Sequence, residues 1–389
     1  MPVPIKYNIR HVGRRWKTTS MTILAISLVV AIFICMLALS SGISHAFATS
    51  AEPRNVIVLR SGSTAETNSS VERQVYNLLA VLPGIAKDSE GNAMISAETI
   101  NIATLPKKTG GGSNASIRGF GPMSMKMRPQ IHLVEGRMPD PSLHELIVGN
   151  GAAQRFENTN VGDEIKLVKS KWKIVGRFDA GNSSFDSEMW GNVDQLNLEF
   201  DRTVFSSVLI QAESVEGRQT VIDAIKANQQ LARVEGQPEL DYYQKQTAPT
   251  AGPIEFLGML ISIIMAVGAV FAAMNAMYAS ISSRTWEIST LRVIGFSRFS
   301  IILSFVIESL FVGFIGGVIG ALLALPINGI TTGTTSWSTF SEIAFAFRIT
   351  PGLVVGGIVF ASLIGMIGGF LPAIQASRIP IVDGLKGEG

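Results

Sequence analysis

Four long apolar stretches, almost free of formal charge, limit what this chain can fold into more than any other feature. No Asp, Glu, Lys or Arg occurs between Lys17 and Glu52, and Met21–Leu39 inside that gap reads MTILAISLVVAIFICMLAL. Phe256–Ile281 is a second uncharged run and Leu353–Leu371 a third, while Ile301–Leu325 is interrupted only by Glu308. Crossing the hydrocarbon core of a bilayer takes about 20 apolar residues, and all four runs reach that length with some allowance for tilt. Only 16% of the 389 residues are charged, against roughly 25% in an average soluble domain, so four such helices are hard to bury in any other way. The expected fold class is therefore a membrane α-helical protein with four transmembrane helices, at 21–42, 254–282, 301–326 and 351–375. The first run has a basic flank, and Ala46-Phe47-Ala48 resembles an A-x-A cleavage site. A signal-peptide core is only about 7–15 residues long, however, and the reading favours an uncleaved span.

Charge orients the spans. Residues 1–20 carry Lys6, Arg10, Arg14, Arg15 and Lys17 without an acid, and an excess of Lys and Arg marks the cytoplasmic side. Alternation then puts 46–250 outside, 284–299 inside, the loop 327–350 outside and the tail 376–389 inside. The inner segment agrees, with Arg284, Arg292 and Arg298 against Glu287. The expected location is the inner (plasma) membrane, multi-pass, with both termini cytoplasmic. A net charge of +2 gives no basic face for nucleic acid, and the single cysteine, Cys35, excludes a disulfide scaffold.

The block 46–250 is long enough to bury a core of its own and has a mixed α/β texture. Asn55–Leu59 reads as a buried strand. Val71, Val75, Leu78, Leu79 and Leu82 recur at helical spacing behind Ser69 or Ser70 as cap, and Pro83-Gly84 stops them. Val215–Leu231 suits a second helix. Thr99–Leu105, Glu145–Val148, Glu164–Val168 and Trp172–Phe178 suit strands, and Lys107–Asn114 a flexible connection. We expect a mostly β insert at about 115–205 on a lobe formed by its flanks. The histidines, His11, His45, His132 and His144, do not make a zinc pattern. Asp179, Asp186 and Glu188 read as a solvated loop sooner than as a carboxylate site. Met123, Met125, Met127 and Met138 fit either an adaptable contact surface or ordinary core. There is no G-x-x-x-x-G-K-[ST] phosphate loop.

The segment Arg284–Phe299, RTWEISTLRVIGFSRF, directly follows the second span. Ile288, Leu291, Val293 and Ile294 give it an apolar helical face, and Gly295 ends it as a C-terminal glycine would. Periodicity alone leaves open whether that face lies in the lipid interface or in a groove of a cytosolic protein. The segment resembles the cytoplasmic coupling loop of the MacB/FtsX/LolC-LolE family of ABC permeases, R-x-[RK]-E-I-G-x-L-R-x-x-G. Arg284, Glu287, Ile288, Leu291, Arg292 and Gly295 occupy its named positions, while Trp286 and Ser289 depart from it. In the C-terminal pattern P-A-x-x-A-x-R-x-x-P, Pro372, Ala373, Ala376 and Arg378 occupy the named positions, and Pro380 stands one residue before the last. Ile117-Arg118-Gly119-Phe120 and Leu133-Val134-Glu135-Gly136-Arg137 look like a further family stretch.

That resemblance implies a large α/β extracytoplasmic domain of the periplasmic Porter/Sabre type between the first and second spans. It also implies an amphipathic elbow at Tyr7–Ser20, a coupling helix at 284–299 and a stalk at 254–282. It further implies a MacB-like permease without a fused nucleotide-binding domain and with no catalytic, metal or cofactor site of its own. ATP and Mg would be bound by a separate cytosolic ABC ATPase present in two copies. A second permease copy, or a related permease, would complete a dimer in membrane lipid, and a periplasmic adaptor would be a further partner. The implied activity is mechanical transmission that expels a periplasmic substrate. The same plan admits lipoprotein extraction, as in the LolC-LolE branch, or FtsX-like control of a cell-wall hydrolase without transport. Within the spans, Gly316/Gly320, Gly352/Gly356 and Gly365/Gly369 are expected to be helix-packing faces. Glu308 is expected to make a structural contact near the interface, not to couple protons.

Overall fold

The structure, a computed structural model, describes residues 16–335 and 341–380. Most of the expected N-terminal elbow and the last residues of the tail lie outside that range. In chain order the elements are α1 (Trp16–Ala48), β1 (Asn55–Arg60), α2 (Arg73–Leu79), β2 (Ile95–Pro106), β3 (Gly112–Phe120) and β4 (His132–Gly136). Then come β5 (Glu145–Gly149), α3 (Asn150–Arg155), β6 (Glu164–Lys166), β7 (Lys171–Asp179), β8 (Glu188–Asn192) and α4 (Val193–Glu199). They are followed by β9 (Ser207–Gln211), α5 (Arg218–Ala227), β10 (Val234–Pro238), α6 (Glu239–Ser282) and α7 (Thr285–Val293). The chain closes with α8 (Arg298–Ala324), β11 (Thr331–Thr335), β12 (Glu342–Ala346) and α9 (Pro351–Arg378). They form two compact units. One takes the chain up to Ser41, Pro253–Gly329 and everything from Phe347; the other takes Gly42–Gly252 and Ile330–Ala346.

The first unit is a helical bundle. Four helices among the described residues are long and apolar enough to cross a membrane: Thr19–Ala48, Glu239–Ser282, Arg298–Ile327 and Pro351–Arg378. At 44 residues, α6 is about 66 Å long, twice what a bilayer needs, and residues 239–252 belong to the other unit. The bundle core joins Ile26, Val29, Val30 and Ile34 of α1 to Ala269, Ala321, Ala324, Ala361 and Ile364. Alanines and glycines dominate the facing positions because helices in lipid gain little from hydrophobic burial and associate by close backbone approach. A Cβ at Gly316 would lie 2.8 Å from Ile26, and one at Gly320 2.6 Å from the Ser27 carbonyl, so both seat α8 on α1. Gly365 and Gly369 lie against Ser309 of α8 in the same way. Gly352 and Gly356 differ from the expectation: a Cβ at Gly356 would meet nothing, and one at Gly352 only its neighbour Thr350. Four glycines outside the expected pairs also pack: Gly313 and Gly317 on Ala361, Gly357 on Ile34 and Gly368 on Ala273.

The second unit is built on a continuous sheet of order β10-β1-β9-β2-β3-β8-β5-β7-β4, with β6 on β7. Strand β2 joins its two halves. Ile95–Glu98 pairs antiparallel with β9, and from Thr99 the same strand pairs with β3. The inserted lobe thus begins before residue 115. Val56, Val58, Ile95, Val208 and Ile210 of one half pack against Val221, Ile222 and Ile225 of α5. A ten-residue helix is marginal alone in water, so that packing is what holds α5. Ile117, Leu146, Val148, Trp172 and Ile174 of the other half form a second core with Ala152, Ala153 and Phe156.

Several local expectations change. Lys107–Asn114 is a tight hairpin turn, not a flexible connection: Gly110 and Gly111 take φ of +90° and +78°, and Gly112 already starts β3. Helix α2 starts at Arg73 behind Glu72, because the Ser69 hydroxyl is engaged by the Arg60 N–H at 2.9 Å. The second helix is shorter than Val215–Leu231, ending at Ala227. Asp186 and Glu188 are buried, so the segment is no solvated loop; the Asp186 carboxylate accepts the N–H groups of Ala180 at 2.8 Å and Asn182 at 2.7 Å. The loop 327–350 carries the antiparallel pair β11–β12. Glu342 ties it to the insert through Arg155 at 2.6 Å and Lys107 at 3.1 Å.

Candidate functional site

Between the second and third spans, α7 has two chemically distinct sides. Arg284, at its N-cap, turns its guanidinium to Glu308 of α8, with Nη1 3.1 Å from Oε2 and Nη2 3.3 Å from Oε1. Both side chains are buried, so the carboxylate inside α8 has a planar bidentate partner, the geometry that best compensates desolvation. Arg292 donates to the Ser377 carbonyl at 2.6 Å, an acceptor in the last turn of α9 where no helical donor is available. Ile288 inserts among Met277, Ile281, Ile301, Phe305, Ala373 and Ala376. The inner side therefore binds α7 to the ends of three spans.

The outer side is apolar and open. Trp286, Val293 and the C-cap Ile294 are 60%, 59% and 68% exposed, as is Phe299 at the start of α8 at 71%, while Glu287 and Leu291 are half-buried. The expected single face of Ile288, Leu291, Val293 and Ile294 is thus divided. A helix advances about 100° per residue, which separates Ile288 from Ile294 by about 120° and sends them to opposite environments. Gly295 stops the helix at φ +103°; its N–H bonds the Arg292 carbonyl at 3.2 Å, and the Phe296 N–H bonds Leu291 at 3.1 Å. That is the double closure of a Schellman end. Of the C-terminal motif, Pro372, Ala373 and Ala376 are buried, whereas Arg378 and Pro380 are exposed. Among the described residues no group of His, Cys, Asp or Glu is arranged to hold a metal.

A second constellation was not assigned from the sequence. In the large unit, the fully buried Arg118 and Arg128 stand among four carboxyl groups. Arg118 donates to Glu188 through Nε at 2.7 Å and Nη2 at 2.9 Å, and to Glu98 and Glu66 through Nη1 at 2.8 and 3.1 Å. Arg128 holds Glu98 bidentately and lies 3.6 Å from Glu239. Both guanidinium groups stack near Phe185 and Trp190, 5.0–5.6 Å from the ring centroids. Burial raises Glu98, but Arg128 and then Arg118 outweigh it and hold its carboxyl at about 2. For Glu239 burial prevails over Arg128, and its carboxyl is pushed up to about 7. The signal in the sequence was Arg118 itself, a lone charge in the otherwise strand-like Ser116–Phe120.

Comparison with known proteins matches two parts of the chain to two family models. Residues 19–228 match the family described as MacB-like periplasmic core domain, and residues 259–381 match FtsX-like permease C-terminal. An uncharacterised ABC transporter permease of Methanocaldococcus jannaschii is 25% identical over 65% of this chain and 65% of its own length. The uncharacterised ABC transporter permease YknZ of Bacillus subtilis is 28% identical over 61% of this chain and 60% of its own. The macrolide export ATP-binding/permease protein MacB of Bdellovibrio bacteriovorus is 23% identical over 99% of this chain and 63% of its own. The chain thus spans less than two thirds of these relatives. Among solved structures, the periplasmic region of MacB from Actinobacillus actinomycetemcomitans aligns at a TM-score of 0.37 and 12% identity, over 51% of this chain and 93% of that one.

Proposed function

The chain belongs to the family of MacB-like permeases with an FtsX-like C-terminal region, and from that premise we propose that it transmits the work of a separate cytosolic ATPase to its periplasmic domain. The permease acts as a dimer, each copy engaging one of two ATPase subunits, and expels a periplasmic substrate toward an adaptor without passing it through the four spans. The observation that carries this reading is the two-sided α7. Its inner side is fixed to the ends of α6, α8 and α9 through Arg284–Glu308, Arg292 and Ile288, so a push on it is delivered to the spans. Its outer side offers Trp286, Val293 and, at its C-cap, Ile294, with Phe299 at the start of α8 beside them in sequence, an apolar contact of the kind that fits a groove in a partner. ATP and Mg belong to the partner, because these 389 residues hold no phosphate-cradling loop.

The test is purification of the tagged full chain in mild detergent, followed by mass spectrometry and an ATPase assay. Recovery of a Walker-type ATPase in near-equal amount, lost with Ile294→Asp while the permease still inserts and remains monodisperse, is the expected result. If no ATPase is recovered even after cross-linking, the outer side of α7 is a lipid-facing surface and the transmission reading fails. Co-purification of an adaptor, a lipoprotein or a cell-wall hydrolase then identifies the branch of the family.

A further inference from the structure

The buried charges of the large unit meet at a mechanically significant place. Glu98 is the last residue of β2 paired to β9, and Thr99 the first paired to β3, so Glu98 stands where the two halves of the sheet join. Arg128 links it to Glu239, the first residue of α6. Residues 239–252 lie outside the membrane-spanning part of that helix, within the large unit. The groups facing Glu239 come from three directions. The Glu52 N–H and Asn55 Nδ2, before and at the start of β1, donate to its Oε2 at 2.9 and 3.0 Å. Arg128 faces its Oε1, and Glu98 and Tyr243 act on it electrostatically. Beside this root is a cavity of about 40 Å3 lined by Arg118, Glu188, Tyr243, Gln246 and others. The Tyr243 hydroxyl and the Gln246 carbonyl, both more than nine-tenths buried, find no hydrogen-bond partner among the described residues. A space of this size accommodates water, which would meet those two groups; Glu239 itself does not line it.

We propose that Glu239 is a proton-sensitive fastening that holds the root of α6 to the start of β1, beside the junction of the two sheet halves where Arg128 faces it. Protonated, Glu239 keeps its two accepted hydrogen bonds and adds no charge to a core in which three other carboxyl groups already share two guanidiniums. Ionised, it is a fourth buried negative charge facing Glu98, and the root loosens. The sign follows from linkage: the fastened state binds the proton more tightly than an opened root, whose carboxyl has its ordinary acidity. Fastening is complete in acid, weakens as pH rises toward about 7, and does not change further above it. Its role in transmission rests on the function proposed above; the fastening itself does not.

Hydrogen exchange of the full chain in detergent tests it directly. Once rates are corrected for intrinsic pH dependence, protection of the 239–250 amides is expected to fall by up to about tenfold per pH unit between about 5 and 7, then level off. Glu239→Gln, which mimics the neutral acid, is expected to keep high protection at every pH. A wild-type protein with no such response, or a Glu239→Gln variant that keeps it, overturns the proposal. Infrared difference spectra give a second measurement: a protonated buried carboxyl must disappear between about pH 6 and 8 in the wild-type chain and be missing from Glu239→Gln, whereas the band that Asp186 loses at about pH 6 must be present in both. Ile294→Asp serves as the control. It must retain the pH response even though it loses the ATPase, so that the two readings fail separately.

Discussion

At the scale of single residues, the interior of the large unit is held together by groups whose burial is costly. An ion removed from water loses several kcal/mol of solvation, and only full pairing restores it. Arg118 achieves this by meeting three carboxylates with five N–H···O contacts. Arg118→Met is therefore expected to destabilise the unit by about 3–5 kcal/mol, because it leaves Glu66 and Glu188 buried without their cation. The measurement is the denaturant midpoint of the full chain followed by tryptophan fluorescence, in which Trp190 reports directly because its Nε1 donates to Glu188 at 2.7 Å. Adding Glu188→Gln to Arg118→Met must recover part of the loss; if it does not, the pairing is not what stabilises the site. Asp186 obeys a related rule with a different partner set. Burial, opposed by two backbone N–H groups, pushes its carboxyl up to about 6, so the 180–187 segment is expected to lose stability as pH rises from about 4 to 6, with Asp186→Asn abolishing the change. Neither site was legible beforehand. A charged residue in a sequence is solvated by default, and only the meeting of Glu66, Glu98, Arg118, Arg128, Glu188 and Glu239 across the sheet reverses that default.

Elements were more readable where their periodicity is imposed by the solvent. The long apolar runs coincide with α1, α6, α8 and α9 because lipid demands length and permits little else. Strands β4, β8, β9 and β10 escaped detection because each is only five residues long, and the nine-residue β3 because Gly, Ser and Asn interrupt its apolar pattern. Glycines show the same limit. Within the spans the spacing G-x-x-x-G occurs at 313/317, 316/320, 352/356 and 365/369, but spacing does not reveal which pairs face another helix. Gly320→Leu is expected to break the α1–α8 seat, since its Cβ would collide with the Ser27 carbonyl; the detergent-solubilised chain should melt several degrees lower or aggregate. Gly356→Leu meets open space within one copy and is expected to leave the melting of the isolated copy unchanged. If it lowers the dimer fraction in native mass spectrometry, the 352/356 face lies between copies. At Gly295 the requirement is conformational, not steric, with φ at +103° and nothing near its Cβ. Gly295→Ala therefore strains the end of α7 by about 1–2 kcal/mol, and ATPase capture should weaken without any change in the exposed apolar side chains.

For the whole molecule, the two units impose a topology that charge alone already suggests. The bundle unit carries α7 at one end of α6, and residues 239–252 at the other end of the same helix lie in the large unit. The pair β11–β12, between α8 and α9, belongs to that large unit as well, held by Glu342 and by a 2.6 Å bond from the Ala344 N–H to Ser187. Two crossings separate the segment before α1 from α7, and four separate it from the end of α9, an even number in both cases. The basic N-terminal segment, α7 and the C-terminus must therefore share one side, with residues 55–250 and 331–346 on the other. Basic residues concentrate on the first of these sides, and on that ground we propose that it is the cytoplasmic one. Single cysteines in a Cys35→Ala background test every crossing at once. Val168→Cys and Thr335→Cys are expected to react with a membrane-impermeant maleimide in intact spheroplasts, whereas Ser282→Cys should react only after permeabilisation. Labelling of Ser282→Cys from outside would invert the molecule. The outer side of α7 would then face away from any cytosolic ATPase, and Trp286 and Ile294 would have to meet a partner in another compartment. Labelling of Val168→Cys but not Thr335→Cys would leave the overall orientation intact while removing β11–β12 from the large unit. In that case Glu342→Gln should leave the stability of the insert unchanged, whereas a docked hairpin requires that substitution to release Arg155 and Lys107 together.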